Sequence, residues 1–286
     1  MDWSLPDGWS IPKFPLDELA DRGLTFATGH VSGLTRALSR FVASWIETGT
    51  DLLLLVPPPI VILAIAALAW WVAGRRVALG AVLGFGFLWN LRLWDSTMET
   101  IVLVTISTAA ALAIGIPLGI ACALSRRTWK TVGPALDMMQ TMPSFVYLIP
   151  AIPFFGLGAV SAVFATVVFS MPPVIRLTAL GILSVPHELV EASDAFGTSP
   201  MQKLVKVQLP LALPTIMAGI NQTIMLGLSM VVIASMIGAG GLGREVWRSI
   251  QRLNAGEGFQ AGIAIVIVAV VLDRITQAMA RRARPA

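Results

Sequence analysis

Long apolar runs separated by short polar stretches make up most of the chain beyond residue 51. A helix that crosses a bilayer needs about 20 mainly apolar residues in a row. On that scale the pattern predicts seven spanning helices, at residues 52–73, 77–94, 99–124, 134–157, 159–182, 210–236 and 260–280. The run at 77–94 is the weakest, because Asn90 and Arg92 lie near one end of it. The expected fold class is an all-α integral membrane protein.

The composition points to the same class. Hydrophobic residues make up 56% of the chain, charged residues only 13%, and the mean hydropathy is +0.80. Soluble domains carry roughly a quarter charged residues, and a water-soluble fold cannot bury this much apolar surface. The net charge of +4 does not indicate nucleic acid, because no basic stripe alternates with aromatic residues. The single cysteine, Cys122, excludes an intrachain disulfide.

Basic residues predict the orientation, since short cytoplasmic loops are enriched in Lys and Arg. With seven spans, four basic regions fall on one side, which is then the cytoplasm: Arg75–Arg76, Arg126–Lys130, Lys203–Lys206 and Arg281–Arg284. The N-terminus is then external and the C-terminus cytoplasmic. A loop with Arg244, Arg248 and Arg252 disagrees, since it would be external, although Glu245 and Glu257 accompany it.

The segment before the first span has a different pattern. Apolar residues recur there every three or four positions, with Arg36 and Arg40 between them: Val31, Leu34, Leu38, Phe41 and Trp45. This pattern predicts an amphipathic helix at 31–46 that lies in the membrane interface and contacts lipid. A helix packed on the spanning bundle is the alternative. Residues 1–15, rich in Pro, are expected to form an irregular tail, and no cleavable secretion signal is predicted in residues 1–30.

The longest polar stretch on the predicted cytoplasmic side lies between the fifth and sixth spans, at 187–210. A helix should begin at Ser184 or Pro186 and end at Gly197, because glycine commonly follows a helix C-terminus. Ser199 and Pro200 are then suited to cap and start a second helix, and Pro210 marks the entry into the next span. Such a short helix across the end of the bundle could dock into a partner. An ordinary amphipathic connector is the alternative.

This segment resembles the signature loop of ABC importer permeases, in which Glu-Ala-Ala, three residues, Gly, nine residues and Ile-x-Leu-Pro recur. Here Glu191-Ala192-Ser193, Gly197 and Val207-Gln208-Leu209-Pro210 stand at the same spacing. The sequence departs from the pattern at Ser193 and Val207. The resemblance implies a type I ABC importer transmembrane domain at 95–280, whose coupling loop at 183–210 contacts a separate cytoplasmic ATPase. The residues implied in this contact are Glu191, Ala192, Ser193, Gly197, Leu209 and Pro210.

Four further segments, at 136–148, 172–178, 213–223 and 230–243, are similar to glycine betaine/proline betaine permeases. This resemblance implies a multi-pass protein of the bacterial inner membrane that carries quaternary ammonium solutes, such as glycine betaine, proline betaine or choline. It also implies an extracytoplasmic substrate-binding protein as partner. A second copy of the chain is expected, because one polypeptide without an internal repeat most simply forms a homodimer. Outside the core at 95–280, the predicted parts of the chain are an extracytoplasmic tail with the interfacial helix at 1–51, two accessory spans at 52–94, and a basic cytoplasmic tail at 281–286.

Candidate residues for the substrate path are polar or aromatic side chains within spans: Gln140, Thr141, Phe145, Tyr147, Asn221 and Gln222. A quaternary ammonium has no hydrogen to donate, so aromatic faces suit it. Packing or anchoring is the alternative role for Phe145 and Tyr147. Asp137 and Arg176, near the ends of adjacent spans, are expected to form a structural ion pair.

No catalytic or metal-binding residues and no cofactor are expected. The phosphate-loop motif Gly-x-x-x-x-Gly-Lys-[Ser/Thr] does not occur, so any ATP hydrolysis belongs to another chain. The segment 238–243 matches Gly-x-Gly-x-x-Gly but follows a membrane helix, which favours a turn over a dinucleotide site. A permease for another solute, such as an amino acid, and an ion-driven secondary carrier remain alternatives. The carrier is disfavoured, because it predicts mid-membrane carboxylates and an inverted repeat.

Overall fold

The computed structural model describes residues 15–282, and every regular element in that range is helical. The tail before Pro15 and the last four residues of the predicted basic tail lie outside the described part. The described residues form twelve α-helices: α1 Leu16–Leu55, α2 Pro58–Ala73, α3 Arg75–Asn90, α4 Trp94–Leu124, α5 Arg126–Thr141, α6 Leu148–Phe155, α7 Ala159–Leu183, α8 His187–Ala195, α9 Pro200–Lys203, α10 Leu209–Ala234, α11 Leu242–Gln251 and α12 Ala255–Arg282. Short 3₁₀ segments cover Ser144–Tyr147 and Ser235–Ile237, and a π-helical turn covers Leu204–Gln208.

Between residues 15 and 282, four helical stretches are long and apolar enough to cross a membrane: Trp94–Leu124, Ala159–Leu183, Pro200–Ile237 and Ala255–Arg282. The total rises to six if two bent pairs each count as one span, which is roughly consistent with the predicted number. One pair is α1 with α2, bent by 103°, and the other is α5 with Ser144–Phe155, bent by 115°. The weakest predicted span forms α3, whose 16 residues measure about 24 Å against a hydrocarbon core of about 30 Å.

The predicted amphipathic segment is part of the much longer helix α1, of 40 residues. Its apolar residues Leu34, Phe41 and Trp45 are largely exposed, whereas Ile46 on another face is buried against α4. The described bundle therefore does not cover the apolar stripe, as expected for a stripe that faces lipid. Helix α1 continues to Leu55 and turns sharply before the prolines that start α2, so residue 52 lies inside a helix.

Helices α4, α7 and α10 form the centre of the bundle. Small residues let α4 and α7 approach closely. A Cβ atom added at Gly119 would lie 2.6 Å from Thr178 Cβ and 2.7 Å from the carbonyl oxygen of Ile175. Close contact through small residues is how membrane helices gain packing energy, since lipid offers no hydrophobic drive for their association.

The bundle has two distinct ends. At one end the Gly158 amide donates to the Ile237 carbonyl at 2.9 Å, and the Gly241 amide donates to the Glu99 carboxylate at 2.5 Å. These bonds bring the starts of α4 and α7 together with the end of the Pro200–Ile237 helix, at what we term the Gly158 end. Helix α7 runs from there to the opposite end, where α8 follows directly, and we term this the α8 end.

Candidate functional site

Helix α8 lies between two spanning helices at the α8 end. It begins after Pro186, and Glu188 in its first turn suits the positive end of the helix dipole. The Nδ1 atom of His187 lies 3.2 Å from the carboxylate of Glu191, one turn further along. Of the two predicted helix starts, Ser184 and Pro186, the structure has the second.

Gly197 closes α8 in a left-handed conformation with a φ angle of +73°. The Gly197 amide donates to the Asp194 carbonyl at 2.9 Å, and the Thr198 amide donates to the Ser193 carbonyl at 3.2 Å. These two bonds form the Schellman motif that satisfies the last carbonyl groups of a helix. The predicted glycine stop is confirmed, with a backbone conformation that side-chain-bearing residues rarely adopt.

The chain then restarts at once as a second helix. Ser199 and Gln202 form a reciprocal capping box, in which the Ser199 hydroxyl accepts from the Gln202 amide and the Gln202 side chain accepts from the Ser199 amide. From Pro200 the helical path continues through the π turn into α10 and reaches Ile237. The capping role predicted for Ser199 is confirmed, and α8 is therefore joined to a long helix by a turn of only a few residues.

An ion pair across the turn connects α8 to the start of this long helix. The Nζ atom of Lys203 donates to both carboxylate oxygens of Asp194, at 2.7 and 2.8 Å. The Lys203 side chain is only 23% exposed, so the pair is partly shielded from solvent. Together with the Schellman turn, it fixes the angle between the two helices.

The residues assigned to coupling by resemblance differ in exposure. Glu191, Ala192, Gly197 and Pro210 are exposed and Leu209 is half-buried. Ser193 is buried, and its hydroxyl donates to the Val190 carbonyl at 2.7 Å. Its side chain therefore bonds within α8 and does not lie on the exposed surface.

Apolar side chains stand beside the exposed coupling residues. Phe196 is 89% exposed, and Leu189 and Met201 are also exposed. All three lie between the end of α7 and the start of α10, at the α8 end, and exposed apolar residues in such a connection are typical of a protein-binding surface. We term Leu189, Phe196 and Met201 the α8 patch.

Some of the candidate path residues are exposed, and others are held by hydrogen bonds within the bundle. Gln140, Thr141 and Phe145, on α5 and the following 3₁₀ segment, are exposed. Tyr147 is buried, its hydroxyl donates to the Met139 carbonyl, and its ring packs edge-on against Phe169 with centroids 5.5 Å apart. Tyr147 therefore supports the bend between α5 and α6, whereas Phe145 offers a free aromatic face.

Asn221 and Gln222 lie on different faces of α10. Gln222 is exposed, whereas the Asn221 amide donates to the Asp273 carboxylate at 3.0 Å and its oxygen accepts from the Thr276 hydroxyl at 2.5 Å. Gln277 also donates to Asp273. Asn221 is thus part of a polar cluster that joins α10 to α12.

The structure also shows the partners of charged residues that the sequence singled out. Arg176 donates to the Asp137 carboxylate, so the predicted ion pair between adjacent spans is confirmed. At the Gly158 end, Glu99 accepts from Arg244 at 3.1 Å, and Arg248 lies 3.3 Å from the Glu245 carboxylate. Two of the three arginines that disagreed with the predicted orientation are therefore paired with acidic residues.

Comparison with known proteins decides the family. The family described as "Binding-protein-dependent transport system inner membrane component" matches residues 115–285. The chain belongs to this family. Members are transport components of a membrane, and the helices described above agree with such a multi-pass protein.

Three relatives of this transport family align over nearly the whole chain. The glycine betaine transport system permease protein OpuAB of Bacillus subtilis is 48% identical over 93% of this chain and 95% of its own length. The glycine betaine/carnitine transport permease protein GbuB of Listeria monocytogenes is 49% identical over 96% and 99%. The glycine betaine/proline betaine permease protein ProW of Escherichia coli is 46% identical over 99% and 80%.

A solved structure shares the fold. An inward-facing structure of the MetNI methionine ABC transporter matches with a TM-score of 0.61, at 24% identity, over 65% of this chain and 93% of the matched chain. The fold is therefore that of an ABC importer transmembrane domain, as the loop signature implied.

The sequence did not predict several residues that shape the α8 turn and the contact between α10 and α12. Phe196 could have been identified, because it directly precedes the glycine that stops an exposed helix. The Asp194–Lys203 pair and the partnership of Asn221 with Asp273 had no such signal. They depend on how the chain turns and on how two spanning helices are rotated.

Proposed function

We propose that this chain is the permease subunit of an ATP-driven importer of quaternary ammonium solutes, such as glycine betaine, proline betaine or choline. Its partners would be a separate cytoplasmic ATPase and an extracytoplasmic substrate-binding protein. The substrate class is supported by relatives at 46–49% identity that are named as glycine betaine permeases. An amino acid substrate is less well supported, since the likeness to the methionine transporter concerns the fold alone.

The exposed helix α8, fixed to a long spanning helix, is the observation that carries the coupling role. In this proposal the ATPase binds the α8 patch together with Glu191 and Ala192. Closure of the ATPase on ATP then displaces α8. The Schellman turn at Gly197 and the Asp194–Lys203 pair transmit this displacement to the Pro200–Ile237 helix.

The substrate would pass between two copies of the chain. The exposed residues Gln140, Thr141 and Gln222 are candidates to line this path, because lipid does not favour their polar side chains. Phe145 is a candidate because its exposed ring could face a cation. Phe145 would receive the trimethylammonium group on its aromatic face, an interaction worth about 0.5–2 kcal/mol. Tyr147 and Asn221 would support the path from behind through their own hydrogen bonds.

The α8 end would face the cytoplasm, with the N-terminus outside and the C-terminus inside. The proposed division keeps an interfacial region at 1–51, two accessory spans at 52–94, the permease core at 95–280 and a basic tail at 281–286. The exposed apolar stripe of α1 and the bend before α2 are compatible with a helix lying in the outer membrane interface.

Reconstitution tests the function directly. The chain, its ATPase and its binding protein would be placed in proteoliposomes, and uptake of labelled glycine betaine would be measured with enclosed ATP or a non-hydrolysable analogue. Uptake only with ATP, reduced by unlabelled proline betaine but not by methionine, is expected. Uptake driven by an ion gradient without ATP would refute the ATP-driven assignment. Competition by methionine alone would refute the solute class.

A further inference from the structure

An open groove lies between α3 and α12, and its lining shares no residue with the candidate path or with α8. Its volume is about 350 Å³, and its walls include Val77, Gly80, Gly84 and Ile267. Two arginines, Arg76 and Arg274, complete the lining, which contains no carboxylate. None of the roles proposed above uses this groove.

The two helices run antiparallel, which places both arginines at one end. Gln260 near the start of α12 donates to the Leu91 carbonyl after α3, and Arg282 at the other end of α12 donates to the Trp71 carbonyl before α3. Gly84 contacts Ile267, since an added Cβ atom would lie 2.6 Å from that side chain. Seven residues along each helix from this contact lie Val77 and Arg274, about 10 Å away.

The groove is open because Gly80, near the middle of its wall on α3, has no side chain to fill it. A Cβ atom at Gly80 would meet nothing within 4 Å, whereas Gly84 is tightly packed. The helices therefore touch at Gly84 and leave an apolar channel from there to the arginines. Its length of about 10 Å is comparable with the thickness of one leaflet, which is about 15 Å.

The arginines at the end of the channel have no counter-charge among the residues that the structure describes. Within residues 15–282 neither Arg76 nor Arg274 forms an ion pair or a side-chain hydrogen bond. The neighbouring Asp273 is held by Asn221 and Gln277. Two guanidinium groups at the mouth of an apolar channel suit a phosphate that carries a hydrocarbon chain.

We propose that this groove binds one anionic phospholipid, with its phosphate between Arg76 and Arg274 and one acyl chain along Gly80. An extended acyl chain fits the apolar channel along Gly80, and the two guanidinium groups at its end complement the charge of a phosphate. The assignment to the inner leaflet, whose anionic headgroups attract basic residues, rests on the proposed orientation. The site itself requires only that the chain resides in a bilayer.

Native mass spectrometry of the purified transporter tests the site. Delipidated complex would be titrated with phosphatidylglycerol, and the lipid retained per copy would be counted. Arg76→Gln/Arg274→Gln should weaken retention at least about tenfold, because both charge-assisted bonds are lost. The matched control is Arg75→Gln, which removes the adjacent exposed arginine outside the groove and should retain lipid as the unmodified chain does. Equal retention by the double variant, or equal loss with Arg75→Gln, would overturn the proposal.

A second variant and two other ligands complete the test. A Cβ atom at Gly80 would meet nothing within 4 Å, so Gly80→Leu should fold, and its side chain in the channel should displace phosphatidylglycerol. Phosphatidylcholine, whose choline cation offsets the phosphate charge, should be retained about tenfold less well than phosphatidylglycerol. Displacement by millimolar inorganic phosphate alone would identify a simple anion site. Retention by Gly80→Leu, equal binding of phosphatidylcholine, or displacement by phosphate would each refute the proposal. Bound lipid is scored independently of transport, so failure here leaves the permease assignment intact.

Discussion

Replacing Gly197 by valine should separate ATP hydrolysis from transport. Gly197 has a φ angle of +73°, and an added Cβ atom would meet nothing within 4 Å, so the cost is conformational and not steric. Holding an L-residue in this left-handed region costs about 1–2 kcal/mol, and a β-branched residue lies at the upper end. Such a cost lowers the population of the native turn by roughly 5–30-fold relative to alternatives. The angle between α8 and the long helix would then be poorly defined.

The assay is the number of glycine betaine molecules imported per ATP hydrolysed in proteoliposomes. Gly197→Val should lower this ratio about tenfold, while ATPase subunits still bind and hydrolyse. Gly197→Asn is the matched control, since asparagine tolerates the left-handed conformation and should keep most of the ratio. If Gly197→Val, inserted and assembled normally, imports at the unmodified ratio, the turn does not transmit force and the coupling role is refuted.

Three further changes test other contacts. Asp194→Lys and Lys203→Asp should each lower the import-to-hydrolysis ratio a few-fold, in line with about 0.2–1 kcal/mol for a partly exposed pair, and the double exchange should restore it. Asn221→Leu should lower the melting temperature of the detergent-solubilised chain, because it leaves the Asp273 carboxylate short of a donor at a cost of about 1–3 kcal/mol. Gln222→Leu, on the exposed face, should leave the melting temperature unchanged. Equal melting temperatures for the Asn221→Leu and Gln222→Leu variants would contradict a stabilising role for the polar cluster. Phe145→Ala should raise the KM for glycine betaine several-fold at constant ATPase stimulation, and an unchanged KM would remove Phe145 from the path.

Local rules predicted the features that neighbours in the sequence determine. Gly197 and Ser199 were predictable because helix stops and caps depend on one residue type at one position. Asp137 and Arg176 were predictable as a pair because a charge in a membrane needs a partner and both lie near ends of adjacent spans.

The features that were missed depend on how apolar helices are rotated about their axes. A helix that is apolar on every side has no stripe to show which face is inward. The sequence could therefore not show that Asn221 faces α12 and bonds to it, whereas its neighbour Gln222 is exposed. The sharp bend between α1 and α2 was missed for another reason, since the apolar run continues through the prolines that break the helix.

The unbroken helix from Pro200 to Ile237 sets how far α8 stands from the lipid. Its 38 residues measure about 57 Å, whereas a bilayer with its headgroups is about 40–45 Å thick. If the helix is centred and runs near the membrane normal, roughly 6–8 Å of it projects into water on each side. A globular protein could then seat itself on α8 without displacing any headgroup, and the work of dehydrating a charged membrane surface would not oppose assembly.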